Sequence, residues 1–171
     1  MGAYMLKVNL KRERVLPFSF PMQEYKKVDA NRNIVLIDDN LVDLVITEKV
    51  IKKFKVNSIK KFSDPQTALS FFKLNKSTWE SNKKDQPDIV FIDINMPNMN
   101  GFDLLKSLKD CDVFKQGEIK IFLLSSSNNI ADVNMSKQCV LCSGYIIKPL
   151  TYSKMNLILN VNNPNKYIIK I

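Results

Sequence analysis

Histidine is absent from the 171-residue chain, glycine occurs four times and cysteine three times. Each shortage excludes something. With no histidine and no second cysteine pair, the CxxC at Cys139 and Cys142 cannot complete a four-ligand zinc site. Cys111 makes the count odd in a chain too large to need stapling, which favours free thiols in a reducing compartment, buried as small apolar residues. The few glycines form neither GxGxxG nor GxxxxGK followed by Ser or Thr, so a dinucleotide or P-loop site is not expected. No apolar run approaches the roughly 18 to 20 residues of a membrane helix, and no secretory core precedes a small-residue cleavage site. A soluble, cytoplasmic protein without membrane insertion is expected.

Acidic residues are also short, 17 against 26 basic, for a net charge of +9. The excess is thickest at the ends: residues 1–33 carry seven basic and three acidic groups, and the last eight carry two and none. Of the basic residues 23 are lysine, whereas bidentate base readout leans on arginine. No basic stretch is interleaved with aromatics as in a single-strand binding platform. A lysine-coated, solvated surface is the reading, and nucleic acid is not an expected partner.

The length suits one domain plus extensions. From Asn33 onward, short β-branched runs alternate with longer amphipathic ones, the pattern of strand and crossover helix. IVLI (34–37) reads as a parallel strand covered on both faces. Residues 40 to 54 place Leu41, Leu44, Val45, Ile51 and Phe54 on one helical face. VNSIKKF is a less apolar strand nearer a sheet edge. Asp64 and Pro65 open the next helix as cap and first-turn proline, and a polar stretch holding Trp79 leads to the strand DIVFID. GFDLLKSL, IKIFLL, a fourth helix at 129–141, GYII and a fifth helix at 151–161 complete five β-α units. Such units predict an open parallel sheet with helices on both faces and right-handed crossovers.

In such sheets the ligand site lies outside the carboxyl ends of the strands. Those ends carry Asp38 and Asp39, then Asp93, then Ser125 to Ser127, then Lys148. Singly, each has a structural explanation as a cap or a solvated charge. Together, three carboxylates at one edge repel one another, and a magnesium ion with hard oxygen ligands is the natural relief. One carboxylate can then attack a phosphoryl group to give an aspartyl phosphate. Lys148 and Ser125 supply the charge and the hydroxyl that the phosphoryl oxygens need.

LIDDN, FIDINMPNMNGFDLL, FLLSSS and GYIIKPL, each at a strand end, closely resemble the receiver domain of two-component response regulators. The match runs from about Asn33 to Asn163. The resemblance implies a flavodoxin-like doubly wound (βα)5 fold with a five-stranded parallel sheet in the order 2-1-3-4-5. It implies Asp93 as phospho-acceptor, with Mg2+ held by Asp38, Asp39, Asp93 and the backbone carbonyl of Asn95. Ser125 matches the switch hydroxyl, Lys148 the phosphoryl-binding lysine, and Tyr145 the aromatic whose rotation reports phosphorylation. A cis bond between Lys148 and Pro149 is implied as well. Such a protein catalyses its own phosphorylation and dephosphorylation without being an enzyme in the ordinary sense.

The implied donor is phosphohistidine on a sensor histidine kinase or a histidine phosphotransfer protein. The implied output is contact with a downstream protein on the face of the fourth helix, fifth strand and fifth helix, or relay of the phosphoryl group; a homodimer is also compatible. Residues 1–31 are an extension, 32–163 the receiver and 164–171 a tail, so a stand-alone receiver is expected. The alternative is a pseudo-receiver, an interaction module that does not turn over, whose mark would be a missing acid or lysine. A phosphatase would want a second acid two residues beyond Asp93, where Asn95 stands.

Overall fold

The computed structural model describes residues 31–115, 117–160 and 167–169. Of the expected extension only Asn31 falls among them, and of the tail only 167–169. Five parallel strands, β1 (Asn33–Ile37), β2 (Ser58–Phe62), β3 (Ile89–Asp93), β4 (Lys120–Ser125) and β5 (Cys142–Ile147), lie in the order 2-1-3-4-5. A sixth strand extends the sheet beyond the five expected. β6 (Tyr167–Ile169) pairs parallel with β5, Tyr145 opposite Ile168. The open edge of β5 leaves backbone donors and acceptors unpaired, and a Tyr-Ile-Ile run has the strand propensity to take them.

Alternation along the strands builds two layers. Ile34 and Leu36 of β1 join Phe91, Phe122, Leu124 and Ile146 beneath α1 (Leu41–Ile51) and α6 (Tyr152–Asn160). Val35 and Ile37 join Val90, Ile92, Leu123 and Tyr145 beneath α2 (Pro65–Ser81), α3 (Gly101–Leu108) and α5 (Ile130–Gln138). Both faces are covered, which is why the central strands read as continuous apolar runs. A short helical turn, α4 (Asp112–Lys115), follows α3 and was not expected, so the fourth and fifth expected helices are α5 and α6.

Two expectations about packing fail. The buried side of α1 is Leu44, Thr47 and Ile51, while Leu41 is 65% and Val45 45% exposed. Residues at i, i+3 and i+7 face the sheet, so the apolar stripe is rotated and leaves an aliphatic flank outside. Trp79 was placed in a polar connection, but α2 continues through it to Ser81 and the indole is 2% exposed. It packs edge-on to Phe71 and Phe72 at ring separations of 5.5 and 6.3 Å. One large aromatic ring gains more from that cluster than the surrounding polar residues lose by being helical and solvated. Cys111, Cys139 and Cys142 are free thiols, the first and last buried.

Candidate functional site

Because all the central strands are parallel, their carboxyl ends meet on one edge. The register sets the levels there: Asp93 pairs with Leu124, and Ser125 with Ile147, directly before Lys148. At the end of β1 the Asp38 amide donates to the Phe62 carbonyl at 3.1 Å. Asn40 then caps α1, its side chain accepting from the amides of Val42 and Asp43, while its own amide donates to Asp38 Oδ1 at 3.0 Å. This fixes Asp38 inside and leaves Asp39 exposed.

Carboxylate oxygens of Asp38, Asp39 and Asp93 lie within 4.8 Å of one another. Lys148 Nζ is 2.7 Å from Asp38 Oδ2 and 2.6 Å from Asp93 Oδ1. It also donates a hydrogen bond to Asp43 Oδ2 at 2.9 Å. The Asp38 contact is one of charge rather than an aligned hydrogen bond, since Asp38 Oδ2 is buried with no hydrogen-bond partner. Burial pushes the Asp38 carboxyl above its ordinary range, further than Lys148 and the Asn40 amide draw it back. Burial also disfavours the Lys148 ammonium, yet its contacts with Asp38, Asp93 and Asp43 hold it protonated above the usual lysine range.

The loop after Asp93 is built for close approach. A Cβ on Gly101 would stand 2.5 Å from the Asp93 carbonyl oxygen, so that position has no room for a side chain. The Gly101 amide donates to Ile94 O at 2.9 Å, and Asn100 caps α3 by accepting from Phe102 and Asp103. Asn95 is exposed in this loop. The Lys148–Pro149 bond is cis, as the resemblance implied.

Ser125 is fully buried, its Oγ accepting from the Ser127 amide at 3.1 Å. Tyr145 is also buried, its hydroxyl donating to Ser127 O at 2.7 Å. Burial raises the phenol's pKa. The ring is therefore packed inward, tied to the loop that carries Ser127.

Two residues at this edge escaped the sequence reading. Asp43, one helical turn beyond Asp39, was read only as part of the amphipathic helix that opens there. Lys154, on α6, is 1% exposed and donates to the carbonyls of Ile147 and Pro149, at 2.6 and 3.0 Å, on either side of Lys148. Burial lowers its pKa. A lysine in an amphipathic helix gives no sign that its stem runs inward.

The donor set at Asp38, Asp39 and Asp93 is all carboxylate oxygen, one of them buried without a hydrogen bond. That suits a hard divalent cation, as Mg2+ accepts few carboxylates and keeps positions for water and phosphoryl oxygens. The response regulator receiver domain model matches residues 34–160. The chain belongs to that family.

Among relatives of this receiver domain, stress response regulator protein 1 of Debaryomyces hansenii is 30% identical over 134 residues, covering 76% of this chain and 50% of its own. The two-component response regulator ARR7 of Arabidopsis thaliana is 28% identical over 99 residues, covering 56% and 46%. The receiver thus spans about half the length of these curated relatives. A two-component response regulator from Cytophaga hutchinsonii superimposes with a TM-score of 0.66 at 26% identity, over 75% of this chain and 93% of that one. The fold also matches the receiver domain of the histidine kinase CKI1 from Arabidopsis thaliana, complexed with Mg2+ and BeF3−, at TM-score 0.57 and 17% identity, over 66% and 80% of the two chains. Among the described residues no helix is long and apolar enough to cross a membrane.

Proposed function

We propose that this receiver is a phosphorylation-dependent switch of a two-component or phosphorelay system and that Asp93 accepts the phosphoryl group from phosphohistidine. The observation that carries this reading is the 2.6 Å approach of Lys148 Nζ to Asp93 Oδ1 in a carboxylate cluster of which Asp38 and Asp93 are buried and Asp39 is exposed. A carboxylate oxygen of Asp93 forms the new O–P bond as the P–N bond to the donor imidazole breaks, and the imidazole leaves with its electron pair. Lys148 supplies positive charge to the transferring oxygens, and Ser125 a hydroxyl once it turns from the Ser127 amide. Asp38, Asp39, Asp93 and the Asn95 backbone carbonyl would hold Mg2+, which when bound neutralises phosphoryl charge.

Output runs through protein contact on the α5, β5 and α6 face. Ile130, Met135 and Val140 are exposed on or beside α5 and offer it apolar surface. Movement of Ser125 toward a phosphoryl group would remove the loop geometry that receives the Tyr145 hydroxyl, coupling Asp93 to that face.

Incubation with acetyl phosphate and Mg2+, followed by intact-mass measurement, should add one phosphoryl group to the parent and none to Asp93→Asn. An unmodified parent, under conditions where a control receiver labels, refutes the proposal and favours an interaction module that does not turn over.

A further inference from the structure

Asp43 stands apart from the groups this reaction needs. It is outside the trio of carboxylates able to hold a cation, yet it receives the aligned hydrogen bond of Lys148. The ammonium has three protons and meets three carboxylates. Asp38 and Asp93 have side chains only 4 and 5% exposed, and Asp43 is 33% exposed.

A phosphoryl group on Asp93 would place about 1.5 to 2 negative charges beside Lys148 in place of the single charge of the carboxylate. Its oxygens need an ammonium that already faces three carboxylates and donates its aligned hydrogen bond to Asp43. Asp38 and Asp93 are buried within the cation-binding trio, whereas Asp43 lies outside it, is the most exposed of the lysine's three partners, and borders an open cleft with Ile46, Thr47, Ser126 and Pro149 in which it can turn into water. Asp43 is therefore the partner that yields.

We propose that Asp43 is an anionic latch on Lys148, a residue that competes with the phosphoryl group for the ammonium and so weakens phosphoryl binding and sets its specificity for strong anions. The inference rests on the function proposed above. Asp43 occupies the first turn of α1, so its release also frees that turn when the phosphoryl group arrives.

Beryllofluoride, which mimics a phosphoryl group on a carboxylate, separates binding from chemistry. Its dissociation constant is measured by 19F NMR on the full chain at saturating Mg2+, for the parent, Asp43→Asn, Asp43→Ser and Asp43→Glu. The expected result is binding on the order of tenfold tighter in the Asn and Ser variants, as one competing charge-assisted hydrogen bond is removed. Asp43→Glu keeps the charge and should bind as the parent does. Equal or weaker binding in Asn and Ser overturns the latch and leaves the phospho-acceptor reading intact, as does tighter binding in Glu. A parent that binds no beryllofluoride overturns both. Two neutral variants guard against loss of folding in either one, and thermal unfolding of each checks it.

Discussion

Asp93 and Lys148 come from the ends of two strands that are not neighbours in the sheet, and their charged atoms stand 2.6 Å apart. β4 lies between them and contributes Ser125. The lysine is the cation that the described structure provides for the buried acids, and the first prediction follows from removing it.

Lys148→Met should destabilise the domain near neutral pH, by about 3 to 5 kcal/mol, because it leaves Asp38 and Asp93 buried with their counter-charge gone. The sign of its pH dependence is fixed by Asp38, whose carboxyl is raised by burial even with the lysine present. A carboxyl whose folded pKa exceeds its unfolded value holds its proton more tightly when folded. Stability is then full below the ordinary value of 3.8 and lost as pH rises through the higher folded value. The variant should regain stability on acidification below neutrality, relative to the parent. Urea unfolding across pH 4 to 8 tests this; a deficit independent of pH contradicts it.

Gly101→Ala should cost about 1 to 3 kcal/mol, since its Cβ would meet the Asp93 carbonyl oxygen at 2.5 Å and backbone must move. In a chain of this size that lowers the melting temperature by about 2 to 4 °C per kcal/mol. The displaced atom belongs to Asp93 itself, so labelling by acetyl phosphate should fall as well. Scanning calorimetry together with intact mass reads both, and an unshifted melting temperature shows that the loop gives way without cost.

Lys154→Met should leave the carbonyls of Ile147 and Pro149 without their ammonium donor, at a cost of about 1 to 3 kcal/mol. Those carbonyls bracket Lys148, so labelling of Asp93 should slow even where the variant remains fully folded. The check is the initial rate of acetyl phosphate labelling at a temperature well below the variant's unfolding transition. A parent-like rate confines Lys154 to stability.

The order of the strands came from the family resemblance, while the strands themselves, the cap at Asp64, and the positions of Asp38, Asp39, Asp93, Ser125 and Lys148 at strand ends were legible from the chain. These follow from local pattern: runs of β-branched residues, cap chemistry next to a helical period, and a parallel sheet that gathers its carboxyl ends. What needed the tertiary structure was the direction of individual side chains. Trp79 lies in a polar run, yet only the packed cluster with Phe71 and Phe72 says that α2 turns it inward. Leu41 and Val45 fit a helical stripe equally well whichever way α1 is rolled, and contact with the sheet selected Leu44, Thr47 and Ile51. Asp43 and Lys154 carry charges that a one-dimensional reading assigns to solvent. Their partners, Lys148 and the carbonyls on either side of it, reach them through the docking of α1 and α6 on the same face of the sheet. Sequence thus determined which groups collect at the edge, and packing decided which of them touch, because burial makes water a poorer partner for these charges than one another.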